Sequence, residues 1–225
     1  MGLSLIKTLY ICRMILNEET ASKIAAFLLQ IKAIKLQPAK PFTWASGWKS
    51  PIYCDNRKIL SYPEIRTYIR QQLAAAVIEK YGKTDIIAGV ATGGIAHGAL
   101  VAEQLGLPFV YIRANIKVHG LQNMIEGDVK PGQSVVVIED LVSTGQSSLK
   151  AVNALRKAEC NVRGMVAIFT YGFNIADDNF KKAKCRLTVL SHYEILIRQA
   201  LKSKYINEKE FELLQKWREY PGIKT

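Results

Sequence analysis

The feature that most constrains the fold is an alternation of two kinds of segment that begins near residue 85. Short, continuously apolar segments are separated by segments with the periodicity of helices. Strands that are apolar on both faces are typical of a parallel sheet covered by helices on both sides. The chain is therefore predicted to be an α/β protein with a central parallel sheet. The predicted strands are 85–90, 108–112, 134–138, 162–169 and 187–190, and the predicted helices are 94–105, 145–158, 177–184, 192–203 and 207–218.

The segment before this alternation has a different pattern. Asn17 or a neighbouring residue is suited to cap a helix that is predicted to run to about Lys35. Residues 37–53 contain several prolines and the pair Ser46-Gly47, which indicates short antiparallel strands joined by turns. We therefore expect a small N-terminal hood, at about 14–60, built from one helix and short antiparallel strands.

The core is expected at about 61–203, in a single domain that spans 14–225 and ends with a C-terminal helix at about 207–218. Its first helix is predicted to be capped by Ser61, to carry Pro63 near its start and to end by Gly82. Residues 1–13 are interpreted as a dispensable extension, because Met14 directly precedes the first predicted helix start.

Composition excludes several classes of protein. The net charge is +12, but Lys and Arg are scattered, with no run of the length typical of an arm that binds nucleic acid. No stretch approaches the ~18 consecutive apolar residues of a membrane span. The four cysteines form no CxxC pair or Cys/His cluster, which favours reduced thiols in a cytoplasmic protein. We therefore expect neither a nucleic-acid nor a membrane partner.

The clearest chemical signal follows the strand predicted at 134–138. Two acids, Glu139 and Asp140, are followed by two apolar residues and then by a turn rich in hydroxyl groups and glycine that starts a helix. Gly145 allows a positive φ, and backbone N–H groups at a helix start favour an anion. The acids suit vicinal hydroxyls, so the segment as a whole predicts a bound sugar phosphate. The alternative is a capped helix start with acids at its favourable end. The hydroxyl donors expected in the turn are Ser143, Thr144, Ser147 and Ser148.

This segment resembles the phosphoribosyl pyrophosphate (PRPP) binding motif of type I phosphoribosyltransferases. The resemblance implies that Glu139 and Asp140 meet the ribose hydroxyls, with Asp140 as a catalytic residue, and that the 5′-phosphate binds around Thr144 to Ser147. It also implies transfer of ribose 5-phosphate to a nitrogen base with loss of pyrophosphate. The further PRPP-binding residues that it implies are Leu141, Val142, Ser143, Gly145 and Gln146.

Two other segments resemble the orotate phosphoribosyltransferase family. Residues 42–57 are similar to its N-terminal orotate-binding segment, and residues 111–120, followed by Ile125-Glu126-Gly127, are similar to its mobile catalytic loop. The three cationic side chains of the loop suit neutralisation of a departing pyrophosphate, although each alone is also compatible with ordinary surface charge. The resemblance implies catalytic and PRPP-binding roles for Arg113, Lys117 and His119, and orotate-binding roles for Ser46, Gly47, Tyr53 and Ser143.

Three positions depart from forms found in parts of the family. Ala45 stands where some members have Lys, Ala114 follows Arg113 where some have a second basic residue, and Phe169-Thr170-Tyr171 occupies a strand that in some members carries an Arg for the orotate carboxylate. One branch of the family shares the Ala-Ser-Gly and Phe-Thr-Tyr forms. We interpret the departures as subfamily differences that change which groups balance that carboxylate.

The resemblance implies Mg²⁺-dependent formation of orotidine 5′-phosphate from PRPP and orotate, in pyrimidine (UMP) biosynthesis. The metal is expected to be held mainly by substrate and water, without a dedicated protein site. It also implies a homodimer in which loop 113–127 acts at the neighbouring subunit's site. One alternative is a phosphoribosyltransferase for another base. The other is a PRPP-sensing transcriptional regulator, which would need a DNA-reading module that residues 14–60 do not suggest.

Overall fold

A computed structural model of the chain describes residues 15, 17–43, 47, 49–113, 124–219 and 221. The helices within these residues are α1 (Glu18–Gln30), α2 (Pro63–Tyr81), α3 (Gly93–Leu105), α4 (Gln146–Lys157), α5 (Asn174–Lys182), α6 (Tyr193–Lys202) and α7 (Glu208–Glu219). The strands are β1 (Ile34–Leu36), β2 (Phe42–Thr43), β3 (Lys49–Ser50), β4 (Ile52–Cys54), β5 (Ile86–Val90), β6 (Phe109–Ile112), β7 (Ile125–Glu126), β8 (Ser134–Val142), β9 (Asn161–Thr170) and β10 (Leu187–His192).

The central sheet has six strands in the order β10-β9-β8-β5-β6-β7. All neighbours pair in parallel except β7, which runs antiparallel to β6. Every residue of β5 and of β10 is buried, because the sheet is covered on both faces. The predicted parallel sheet flanked by helices is therefore confirmed. The prediction of one uninterrupted loop at 113–130 is wrong, because β7 lies within that range.

Strand β8 is four residues longer than the sequence pattern indicates. It was predicted to end at Ile138, but its pairing with β9 continues through Leu141, opposite Phe169, and Val142, opposite Thr170. The two acids had indicated the start of a loop. Glu139 can remain inside the strand because its buried carboxyl group accepts hydrogen bonds from the protein. Both acids therefore belong to a strand, in which successive side chains point to opposite faces.

The predicted helix cap at the N-terminus is confirmed. Asn17 Oδ1 accepts a hydrogen bond from the Thr20 N–H at 2.7 Å, which satisfies a free donor of the first turn of α1. The helix ends at Gln30 rather than at Lys35, because Ile34–Leu36 instead pairs with β4. Antiparallel pairing of β1 with β4 and of β2 with β3 confirms the hood of one helix and short strands.

The residue that precedes α2 differs from the predicted cap, whereas the helix ends at the predicted glycine. Residues Asn56–Ser61 form a short 3₁₀ helix, so Tyr62, not Ser61, occupies the N-cap position of α2. Pro63 is the first helical residue, and the helix ends at Gly82, whose φ of 68° few other residues adopt without strain. The 3₁₀ helix connects the hood to the central sheet.

Helix α1 packs against the core. Ile24 and Leu28 on its apolar face are fully buried, and the Ser191 hydroxyl of β10 donates to the Ala21 carbonyl oxygen at 2.8 Å. Ile15 forms an isolated parallel bridge with Val189 of β10. Among the described residues, no helix is both long and apolar enough to span a membrane.

Candidate active site

The candidate site lies where the carboxyl ends of β5, β8 and β9 meet, the edge of a parallel sheet at which ligands bind. Asp140 on β8 is half-buried, and its carboxyl group lies directly against Gly93 at the start of α3. A Cβ atom at Gly93 would overlap all three atoms of that carboxyl group, so only glycine leaves room for it. The turn before α3 contains a cis peptide bond between Ala91 and Thr92.

Glu139, the other acid, is buried and only 4% exposed. Its Oε2 accepts a hydrogen bond from the Ser148 hydroxyl at 2.8 Å, and its Oε1 accepts one from the Asp140 N–H at 3.0 Å. Burial raises the pKa of Glu139 well above its usual range, and the nearby charge of Asp140 raises it further. The expected hydroxyl donor Ser148 is thus turned inward to Glu139 and is itself 1% exposed.

The phosphate turn of the sequence prediction lies between β8 and α4. Ser143 and Thr144 are half-buried, whereas Gln146 and Ser147 in the first turn of the helix are exposed. Gly145 has a φ of 77°, and a Cβ there would come within 2.7 Å of the Phe180 ring of α5. The first N–H groups of α4 lack partners within the helix, so the turn can present them to an anion.

Asparagine side chains hold the two ends of this segment. Asn56 Nδ2 donates to the Asp140 carbonyl oxygen at 2.7 Å, and Asn179 Nδ2 of α5 donates to the Thr144 carbonyl oxygen at 2.9 Å. The sequence reasoning missed both residues. Asn56 is 84 positions from its partner and Asn179 is 35 positions from its own, and no local pattern marks either contact.

Three polar side chains, Cys54, Asn56 and His97, lie close to Asp140. The Cys54 thiol donates to Asn56 Oδ1 at 3.3 Å, and the pKa of Cys54 is raised well above its usual value by burial, with the charges of Asp140 and Asp55 adding to the effect. His97 of α3 is 2% exposed, and burial lowers its pKa, although Asp140 opposes that shift. The Nε2 atom of His97 has no hydrogen-bond partner among the described residues.

The predicted base-binding residues are only partly within the described chain. Tyr53 is 42% exposed, and its ring lies 5.7 Å from that of Phe42, while Gly47 is exposed with a φ of 82°. Ser46 and the departure at Ala45 lie outside the described residues.

Tyr171, at the end of β9, faces the same region. It is 3% exposed and stacks on Phe173 at 5.4 Å, while Trp217 of α7 meets its ring edge-on at 6.5 Å. Burial raises the pKa of Tyr171 well above its usual value, and the charges of neighbours that include Cys54, Asp140 and Tyr53 raise it further. Tyr171 therefore lies close enough to these groups for their charges to affect its pKa.

The structure places one of the three predicted loop cations. Arg113 Nη1 lies 3.1 Å from Glu126 Oε1, and the Arg113 N–H donates to the Met124 carbonyl oxygen at 2.8 Å. These contacts continue the β6–β7 pairing and join the two chain segments on either side of 114–123. Lys117, His119 and the departure at Ala114 lie in that segment, outside the described residues, as do residues 1–13.

Within the described part of the chain, no group of three or more His, Cys, Asp or Glu side chains is arranged to hold a metal ion. The donors at this edge are of another kind. Asp140 supplies one half-buried carboxylate, and Mg²⁺ is commonly bound by one or two carboxylates together with substrate phosphates. The site therefore fits an ion that is held chiefly by a phosphorylated ligand.

Comparison with known proteins agrees with this geometry. The model of the phosphoribosyl transferase domain family matches residues 59–203. The orotate phosphoribosyltransferase of Phocaeicola vulgatus is 61% identical over 195 residues, which cover 87% of this chain and 92% of that protein. The Porphyromonas gingivalis orotate phosphoribosyltransferase is 58% identical over 198 residues, covering 88% and 94%. The crystal structure of the Aeropyrum pernix enzyme of the same name aligns with a TM-score of 0.71 at 26% identity, covering 82% of this chain and 99% of that one. The chain therefore belongs to the phosphoribosyltransferases and, within them, to the orotate phosphoribosyltransferase family.

Proposed function

We propose that the protein transfers ribose 5-phosphate from PRPP to N1 of orotate, giving orotidine 5′-phosphate and pyrophosphate in pyrimidine (UMP) biosynthesis. The observation that carries the proposal is the position of Asp140, at the carboxyl end of β8 beside the phosphate turn, in a chain 61% identical to an orotate phosphoribosyltransferase. The C1–O bond breaks with its electron pair passing to the pyrophosphate, a C1–N1 bond to the base forms, and the proton on N1 is released.

The protein's part in this reaction is electrostatic. Positive charge grows on the ribose as the C1–O bond breaks, and the Asp140 carboxylate is proposed to stabilise it. The turn from Thr144 to Ser147 binds the 5′-phosphate through hydroxyl groups and backbone N–H groups, and Leu141, Val142 and Ser143 connect it to the acid. Glu139 is proposed to meet the ribose hydroxyls as well, although in the free protein both of its oxygens accept hydrogen bonds from Asp140 and Ser148.

The base is proposed to lie between Tyr171 and the hood. Ser46, Gly47 and Tyr53, together with Ser143, form the proposed orotate contacts, and the exposed side chain of Tyr53 supports this arrangement. The strand that carries a carboxylate-binding Arg in some family members ends here in Phe169-Thr170-Tyr171. A tyrosine cannot supply a positive charge, so backbone N–H groups of the Ser46–Gly47 turn are the proposed partners of the orotate carboxylate.

The leaving group is proposed to be neutralised by Arg113, Lys117 and His119 together with Mg²⁺. When bound, the ion would supply positive charge to the pyrophosphate; PRPP and water would hold it for the most part, and Asp140 is the carboxylate at this sheet edge that could assist. Arg113 already pairs with Glu126, which supports a fixed starting point for the loop. Closure of loop 113–127 would exclude water from the reacting centre.

A homodimer is proposed, with loop 113–127 acting at the site of the neighbouring subunit. The hood, the core and the C-terminal helix are proposed to form one domain over residues 14–225, which the packing of α1 on β10 and of Trp217 on Tyr171 supports. A cytoplasmic location is proposed as well, in keeping with the free thiols of Cys54, Cys160 and Cys185.

The test is incubation of the protein with PRPP, Mg²⁺ and a panel of bases, followed by identification of the nucleotide formed. Orotate is expected to give orotidine 5′-phosphate, while adenine, hypoxanthine and uracil give little product. Comparable turnover of a purine with none of orotate would overturn the proposal in favour of a different base. Binding of PRPP without any turnover would favour a PRPP-sensing regulator, an alternative that the described part of the hood, a single helix with two strand pairs, does not suggest.

A further inference from the structure

Residues 140–144, which run from the acid to the phosphate turn, are held at each end by a different asparagine. In both cases the side-chain amide donates to a backbone carbonyl oxygen. Asn56 reaches the Asp140 carbonyl from the 3₁₀ helix, and Asn179 reaches the Thr144 carbonyl from α5. The two contacts enclose residues 140–144, between the acid at the ribose and the phosphate turn. Neither asparagine is among the residues proposed to contact substrate.

Asn179 fixes the orientation of one peptide group. In a trans peptide the C=O and the following N–H point in opposite directions within one rigid plane. Since Asn179 holds the Thr144 carbonyl at 2.9 Å, the Gly145 N–H is directed away from α5. Phe180, the next residue of α5, fills the space behind Gly145. Helix α5 therefore backs the turn and leaves its N–H groups free to face an anion.

Asn56 acts on the other end of the segment. Its side chain is 1% exposed, with the Cys54 thiol donating to Oδ1 while Nδ2 donates to Asp140. A buried amide with both ends bonded has little freedom to rotate, so it fixes the backbone from which the Asp140 carboxylate projects toward Gly93. Asn56 lies two residues after the end of β4. Its hydrogen bond therefore connects the base-binding side of the hood to the acid proposed to meet the ribose.

We infer that Asn56 and Asn179 are positioning residues with separate tasks: Asn179 orients the backbone N–H groups that bind the 5′-phosphate, and Asn56 orients the Asp140 carboxylate that stabilises the ribose cation. The inference rests on the proposed function. Asn179 serves an interaction present before and during the reaction, whereas Asn56 serves one that strengthens as charge develops. Loss of Asn179 therefore weakens binding, and loss of Asn56 slows the chemical step.

The experiment compares Asn179→Leu and Asn56→Leu, which keep the branching at Cγ and the number of side-chain heavy atoms but remove the amide. Affinity is measured by calorimetry with ribose 5-phosphate, which carries the 5′-phosphate without a leaving group, and kcat is measured with PRPP and orotate. Asn179→Leu is expected to weaken ribose 5-phosphate binding about tenfold, near the upper range for one hydrogen bond, with kcat changed less than about twofold. Asn56→Leu is expected to show the reverse, with kcat lowered about tenfold and binding nearly unchanged.

A matched control removes a similar bond far from the site. The Thr84 hydroxyl, which is buried, donates to the Ser134 carbonyl oxygen at 2.9 Å near the amino end of β8. Thr84→Val should lower the melting temperature without changing affinity or kcat. If both asparagine variants behaved like Thr84→Val, the two residues would be purely structural and the inference would be wrong. Asn56→Ala and Asn179→Ala, which add no branched carbon, replace any leucine variant that fails to fold.

A double variant tests the route through which Asn56 acts. If Asn56 works through the Asp140 carboxylate, Asn56→Leu should lower kcat in the wild-type background but hardly at all in an Asp140→Asn background. Additive losses would show that Asn56 acts in some other way. Wild-type protein that makes no orotidine 5′-phosphate would contradict the proposed function instead, and the ribose 5-phosphate measurements would still decide the role of Asn179.

Discussion

At the scale of single residues, two adjacent acids have opposite environments. Asp140 is half-buried and lies against Gly93 at the sheet edge, whereas Glu139 is buried and accepts hydrogen bonds from Ser148 and from the backbone. In the free protein the Glu139 carboxyl group is enclosed against Ser148 of α4, whereas the Asp140 carboxyl group lies beside the start of α3. The difference in their environments has a consequence for stability that can be measured.

Glu139→Gln is expected to stabilise the protein, and more so at higher pH. Burial raises the pKa of Glu139 in the folded state, so at low pH the acid is protonated in both states and has no effect on the pH dependence. Above the usual pKa of glutamate the unfolded chain releases a proton that the folded chain retains, so the free energy of unfolding falls as pH rises toward the folded pKa. Thermal melting at about pH 4 and about pH 8 should show the larger gain in Tm for the glutamine variant at about pH 8.

Glu212→Gln provides the control, since it removes one carboxylate from an exposed position on α7. A gain in Tm for Glu139→Gln that was the same at both pH values, or that appeared equally in the control, would contradict a buried acid with a raised pKa at position 139.

Gly93→Ala is expected to displace the Asp140 carboxyl group, because the added Cβ would overlap its atoms. A misplacement of about 1 Å at a catalytic group can cost about 100-fold in rate, so kcat should fall on that scale. Gly98→Ala is the control on the same helix. A Cβ at position 98 would come within 2.7 Å of the Phe109 ring, away from Asp140, so this variant should lower Tm and leave kcat close to normal. Similar kinetics for the two variants would argue against a specific contact between position 93 and Asp140.

The roles of single residues could be predicted only where neighbouring residues in the sequence indicate them. The acids and the Ser-Thr-Gly turn are adjacent in the chain, so the sequence predicts their shared task. Asn56 and Asn179 acquire their contacts only when the sheet brings distant segments together, and asparagine is ordinary at the start of a turn or in a helix. The inward rotation of Ser148 likewise depends on the buried carboxyl group of Glu139 and not on its neighbours in sequence.

At the scale of elements, the hairpin of β6 and β7 defines the base of the predicted catalytic loop. Pairing of Tyr111 with Glu126 and of Ile112 with Ile125 fixes the two strands, and Arg113 adds a backbone bond to Met124 and an ion pair with Glu126. The segment 114–123 therefore starts and ends at fixed points beside β5.

Lys117→Ala is expected to lower kcat and kcat/KM together. Negative charge on the leaving group grows most as the C1–O bond breaks, so a cation aimed at it contributes mainly in the transition state. Steady-state kinetics with PRPP as the varied substrate measures this, with Lys130→Ala as a control on an exposed lysine after β7. A rise in KM with unchanged kcat would instead show that Lys117 only attracts the anionic substrate.

Element types could be predicted from periodicity, but their ends could not. The α/β alternation follows directly from apolar segments, and each predicted core strand is present. Strand β8 continues through Glu139 and Asp140 because tertiary hydrogen bonds satisfy the buried acid, and α1 stops at Gln30 because Ile34–Leu36 finds a partner in β4. Both boundaries depend on contacts with distant residues, which a local pattern does not contain.

At the scale of the whole molecule, each active site of the proposed homodimer contains residues of both subunits. Mixing Lys117→Ala with Asp140→Asn subunits should restore activity, because one of the two sites in a heterodimer then has both residues intact. Purified heterodimers are expected to show about half of wild-type activity, while either parent dimer is nearly inactive. Parent-level activity in verified heterodimers would show that the loop serves its own subunit.

The most direct test of the central claim is the rate of orotidine 5′-phosphate formation by the Asp140→Asn variant at saturating PRPP, orotate and Mg²⁺. The substitution keeps the shape of the side chain and removes the charge proposed to stabilise the ribose cation. We expect kcat to fall by about 100-fold or more, the scale of a lost electrostatic stabiliser, with an unchanged melting temperature. Turnover close to that of the wild-type protein would contradict the role of Asp140 in catalysis.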